Sequence, residues 1–150
     1  MIKIAELGHL LIKVASIRNS LSFYRDLLGF ELVEYDEENH GKTAFLSLGR
    51  SGHAVDLLEV GSDLGEIRES RLHHFALRVE TESDLTHAYF ELLDAGVKII
   101  RATDHDSQKS VFVYDPDGNI VELYYELSNA LEKFRKGRVD TDKPIEFVRP

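Results

Sequence analysis

The chain has 150 residues, a formal net charge of −9, 43% apolar and 30% charged residues, and no cysteine. The lack of cysteine excludes disulfides, thiolate metal sites and cysteine nucleophiles, so a metal site would have to use His, Asp, Glu or neutral oxygen ligands. The acidic balance argues against nucleic acid and anionic membranes as partners, because phosphates call for a basic face, and here only Lys133 to Arg138 forms a modest basic group. The length fits one domain, expected to span 1–150. No apolar run approaches the roughly 20 residues that span a bilayer. Met1 to Ile12 lacks a basic leader with an apolar core, so the expected location is the cytoplasm.

In chain order, HLLIKV at 9–14 is apolar and β-branched and predicts a strand. A helix is predicted over Ser16 to Leu28, with Leu21, Tyr24, Leu27 and Leu28 at helical spacing, stopped by Gly29. Three strands follow: FELVEY, then the pair TAFLSL and AVDLLEV. Residues 61–70, GSDLGEIRES, form a polar linker. HFALRV at 74–79 is a second starting strand, followed by a helix over Glu82 to Ala95 that Gly96 stops. VKII and the pair SVFVYD and IVELYYE complete the set, with DPDG as a tight turn in which Pro and Gly set the backbone. Leu127 to Arg135 is predicted as a short helix. Residues 136–150 form a charged tail whose Ile145, Phe147 and Val148 could dock on the body or on a second subunit.

The chain therefore repeats itself. HLLIKV aligns with HFALRV, His9 with His74, and Asp56 with Glu122. Each module reads strand, helix, three strands, over about 4–60 and 71–127. The expected fold is α+β, with two tandem βαβββ modules forming a curved eight-stranded open barrel or cleft. Side chains alternate along strands, which allows His9, His74, Asp56 and Glu122 to face the concavity. A lone histidine is usually structural, but two in register beside a carboxylate in matching strands make a ligand set the stronger reading. His73, next to His74, is expected to point the other way on a strand. His40, His53 and His87 read as loop or helix-surface residues.

The segments LGHLLIKV, SLSFYRDLLGFEL, LHHFALRV and YDPDGNIVELYYE resemble the vicinal-oxygen-chelate superfamily over about residues 5–126. That superfamily includes glyoxalase I, extradiol dioxygenases, fosfomycin-resistance enzymes and bleomycin-binding proteins. The resemblance implies a divalent metal held by His9, His74 and Glu122, an arrangement with open positions that suits non-haem Fe(II). It places Asp56 where glyoxalase I has a fourth, glutamate ligand. Aspartate is one methylene shorter, a gap that a water can bridge.

The run from His105 through Val111, Asp115, Pro116 and Gly118 to Glu122 resembles the extradiol dioxygenase signature. Phe112 stands where those enzymes have tyrosine, and Val60 where they have an acid–base histidine, which leaves His105 and Tyr114 as the catalytic candidates. The fosfomycin enzymes match less well, with Leu11 in place of a threonine. The resemblance implies a small-molecule substrate that chelates Fe or Mn through adjacent oxygens, with catechol ring opening as the leading chemistry. A glyoxalase I-like lyase or isomerase using Ni or Zn, or a metal-free drug-binding protein, is the alternative. It also implies a homodimer.

Overall fold

A computed structural model describes residues 8–37, 42–49, 53–61, 72–136 and 142–150. The chain divides into two compact units, Met1–Glu69 and Ser70–Pro150.

The first unit runs β1 (Leu10–Val14), α1 (Ile17–Leu21) with a π-helical continuation (Ser22–Leu27), β2 (Glu31–Asp36), β3 (Thr43–Ser47) and β4 (Val55–Glu59). Its sheet has the order β1-β4-β3-β2. β1 pairs with β4 in parallel and the other pairings are antiparallel. Alternation sends Ile12, Val14, Ala44, Leu46, Val55 and Leu57 into the core. The helical stretch ends at Gly29, whose φ of 77° suits glycine because no Cβ collides there. The helical stretch buries Ile17, Ser20, Phe23 and Tyr24; of the expected stripe Leu21, Tyr24, Leu27 and Leu28, only Tyr24 is fully buried and the three leucines are half-buried. Ser16 caps the helix with no side-chain bond. Glu59 of β4 does this work instead, accepting the Ile17 N–H at 2.8 Å. With the Lys42 ammonium at 3.2 Å, that N–H holds the Glu59 carboxyl below its usual range, the backbone donor being the larger cause.

The second unit repeats the order: β5 (Phe75–Arg78), α2 (Glu82–Asp94), β6 (Ile99–Asp104), β7 (Gln108–Tyr114) and β8 (Ile120–Glu126). A short α3 (Ala130–Arg135) and β9 (Lys143–Pro144) follow. Its sheet order is β5-β8-β7-β6-β9, again with a parallel first pair. α2 starts from a capping box in which the Thr81 and Asp84 side chains each accept the other's backbone N–H. It buries Leu85 and Leu92 against a core that includes Phe75, Val111, Val121 and Leu123.

Both units carry the predicted βαβββ order. The strands, however, are hydrogen-bonded as one sheet of four and one of five, not as a single run of eight. The fifth strand of the second sheet comes from the tail, which sequence pattern left without structure. Ile145 N–H bonds to the Ala102 carbonyl at 3.1 Å, Phe147 packs on Tyr89 at 4.7 Å, and Arg149 makes a two-pronged bond to Asp94. The tail therefore docks on its own unit. The last helix begins at Ala130, three residues later than expected. The predicted linker lies almost wholly outside the described residues. Among the described residues no helix is long and apolar enough to cross a membrane.

Candidate metal centre

The two units place the same residue types at the same sheet positions. In the first, Leu11 of β1 lies beside Asp56 of β4, and Phe45 of β3 lies on its other side. In the second, Ala76 lies beside Glu122, with Phe112 opposite. His9 and His74 each stand two residues ahead of the strand residue that pairs with the carboxylate, and each has its Nε2 within 4 Å of a carboxylate oxygen. The faces carry the same bulge, at Val33 in β2 and Ile100 in β6, where the register slips by one residue.

In the second unit Glu122 is only 4% exposed. Ser110 Oγ donates to its Oε1 at 2.6 Å and Gln108 Nε2 donates to the same oxygen at 2.9 Å. Its Oε2 lies 3.0 Å from His74 Nε2. A buried carboxylate must be paired, and here three donors surround it. The His74 Nδ1 meets His73 Nδ1 at 2.7 Å. One of these nitrogens donates and the other accepts, so this contact and the Glu122 contact together orient the ring. His73 therefore does not point away from His74. Residues 72–74 precede β5, where strand alternation does not apply.

Phe112, in the dioxygenase tyrosine position, is held edge-on by His74 at 5.6 Å and His105 at 6.3 Å. The Arg101 guanidinium lies 4.3 Å over its ring, a cation–π contact. His105 is mostly covered, with Nδ1 2.7 Å from Asp142 Oδ1. Tyr114 sits at the end of β7, 38% exposed, with the Lys98 ammonium 5.9 Å from its ring. Burial pushes the Tyr124 hydroxyl above its usual range, and Glu126 adds to the rise. The DPDG turn is held by Asp115, whose Oδ1 accepts the N–H groups of Asp117 and Asn119, with Gly118 at a φ of 86°. This hairpin sets the register that places Glu122 across from Phe112.

In the first unit Asp56 is 2% exposed. Its Oδ1 accepts from His53 Nδ1 at 2.6 Å, and its Oδ2 lies 3.8 Å from His9 Nε2. The donor atoms of His9, His53 and Asp56 all lie within 4.8 Å of one another. Sequence reading placed His53 on a loop surface. The clue to its role was its position three residues ahead of Asp56 in HAVD. Ser110 and Gln108 escaped notice because only the β7–β8 register puts them beside Glu122.

Residues 6–123, which contain all of these side chains except Tyr124, Glu126 and Asp142, match the Glyoxalase/Bleomycin resistance protein/Dioxygenase superfamily. The chain belongs to this superfamily. Among relatives of the superfamily, metallothiol transferase FosB of Staphylococcus saprophyticus is 36% identical over 124 residues, 81% of this chain and 77% of that protein. A probable lactoylglutathione lyase of Synechocystis sp. is 31% identical over 130 residues, 77% of this chain and 91% of that protein. The catechol-2,3-dioxygenase of Bacillus subtilis is 28% identical over 123 residues, 79% of this chain. The match spans only 40% of that dioxygenase's length.

Proposed function

We propose that this superfamily member is a metal-dependent enzyme acting on a small molecule that offers two adjacent oxygens to the ion. The supporting observation is the doubled pairing of an imidazole with a buried carboxylate, His9 with Asp56 and His74 with Glu122. In this reading His9, His74 and Glu122 are ligands, and Asp56 is a fourth, direct or through water. The donors fit such an ion: imidazole and carboxylate together suit first-row divalent metals. The Ser110 and Gln108 donors occupy one Glu122 oxygen and leave the other toward His74. When bound, the ion would polarise the substrate oxygens as a Lewis acid and hold them in place. Ser110 and Gln108 would keep the carboxylate aligned, and His73 would fix the His74 ring.

The finer reading is catechol ring opening on Fe or Mn. The His105-to-Glu122 signature and the likeness to a catechol dioxygenase support it. His105, oriented by Asp142, would then carry the proton. One observation favours a second reading, a glyoxalase-like lyase or isomerase on Ni or Zn. Asp56 is buried in the register of Glu122, where a carboxylate can serve as ligand or proton carrier. The proposed working form is a homodimer.

The test is metal analysis of protein purified without oxygen, beside Glu122→Ala. Retention of a divalent ion by the parent and its loss in the variant are expected. Oxygen uptake with catechols would then select the first chemistry, and turnover of hemithioacetals the second. A parent chain that takes up no Fe, Mn, Ni or Zn on reconstitution would overturn the proposal.

A further inference from the structure

We propose that His53 is a metal ligand, and that with His9 and Asp56 it forms a two-imidazole, one-carboxylate site contained in the first unit. The idea goes beyond the proposed function, with which it shares His9 and Asp56 but not His74 or Glu122.

The backbone brings the three side chains together. Leu10 N–H donates to the Ala54 carbonyl at 3.0 Å, and Ala54 N–H donates to the Leu46 carbonyl at 2.7 Å. His9 and His53 each stand one residue ahead of these tied positions, and their ring centroids are 4.3 Å apart at a tilt of 32°. The ring of Phe45, Asp56's cross-strand partner, meets His53 nearly edge-on at 5.6 Å and fixes its orientation. The Asp56 carboxylate is buried and turns one oxygen to each imidazole.

The contrast with the second unit is informative. There the position beside the carboxylate is filled by Ser110 and Gln108, whose hydroxyl and amide donate hydrogen bonds to it. Here it is filled by a second imidazole. A carboxylate removed from water is stabilised by a compensating charge, which a divalent cation held between it and the two imidazoles would supply.

Two nitrogens and one oxygen, without thiolate, select zinc, nickel, cobalt, copper or iron over magnesium and calcium. Bonds of about 2.0–2.2 Å place ligand atoms about 3–3.5 Å apart. Donors spread over up to 4.8 Å therefore need to close by roughly 1 Å, within the reach of side-chain torsions. The ion would replace the proton between His53 Nδ1 and Asp56 Oδ1. The His9 side chain is 48% exposed and that of His53 35%, so an ion can enter from solution and its remaining positions stay open to solvent or a substrate oxygen.

The test titrates the full chain with Cu(II), counting coordinated nitrogens by electron paramagnetic resonance, and with Zn(II) against a competing chelator. His53→Gln is expected to remove one coordinated nitrogen and weaken zinc at least about ten-fold, the loss that even removal of an outer-shell partner produces. In the wild-type chain, histidine side-chain nitrogen NMR during zinc addition should move the His53 signal, which needs no variant to fold. If His53→Gln binds like wild type and the His53 signal stays still, the inference falls. Loss of binding in His74→Ala and Glu122→Ala would still leave the proposed function standing. If binding survives in those two variants but not in His53→Gln, the inference holds and the proposed ligand set fails.

Discussion

Removing the Ser110 hydroxyl probes the most enclosed part of the candidate centre. Ser110 is fully buried, and its Oγ donates to Glu122 Oε1 at 2.6 Å. Ser110→Ala deletes that oxygen and leaves no sizeable cavity. A hydrogen bond to a charged group contributes about 1.5–3 kcal/mol. Gln108 Nε2 still donates to the same oxygen at 2.9 Å, which puts the expected cost at the lower end, about 1.5–2 kcal/mol. For a chain of this length that lowers the melting temperature by about 3–8 °C. The assay is urea unfolding in the presence of a chelator, so that no bound ion contributes. Repeating it in a Glu122→Gln background makes a double-mutant cycle. A neutral acceptor makes a weaker bond, so the same deletion should then cost about 1 kcal/mol less. Equal losses in the two backgrounds would refute the claim that Ser110 acts through the Glu122 carboxylate.

Glu59→Ala should destabilise the chain by about 1 kcal/mol, as loss of a helix cap does. Because the Glu59 carboxyl is held low in the folded state, its contribution is complete above the unfolded carboxyl value and disappears as pH falls through the folded one. The variant's stability should thus fall less on acidification than the parent's, which denaturation at a series of pH values reads directly. Gly96 has a φ of 73° and open space around the missing Cβ. Gly96→Ala should therefore cost about 1–2 kcal/mol through backbone conformation alone, measured by thermal unfolding. Phe147→Ala should release the tail from α2, seen as faster hydrogen exchange at the Ile145 amide, with little change at Leu85.

The duplication was legible because each module repeats a histidine-led strand, a helix stopped by glycine and a carboxylate in the last strand. Period-two alternation in IVELYYE puts Glu122 on the face opposite Val121 and Leu123, and all three side chains are buried. The π-helical winding after Leu21 was hidden, because the buried Ile17, Ser20 and Tyr24 still fall at ordinary helical spacing and carry no sign of it. His53 was hidden because it lies just outside β4. A residue there is aimed by the chain's path through Ala54, not by strand alternation. The tail was hidden because two residues of strand carry no periodicity. Ser110 and Gln108 needed the hairpin register, which the sequence leaves to the turn to decide.

The outermost strands have a consequence for how the protein behaves when concentrated. A strand at the margin of a sheet exposes unpaired N–H and C=O groups that can recruit a foreign strand. One margin of the second sheet is β9, two residues long and ending in Pro144, which has no N–H to offer. One margin of the first sheet, β2, is kinked by its bulge and bears Glu31, Glu34 and Asp36, so an identical strand approaching it meets like charge. The tail and the acidic strand thus guard these two margins against fibre-like stacking, by covering the first and electrically repelling copies from the second.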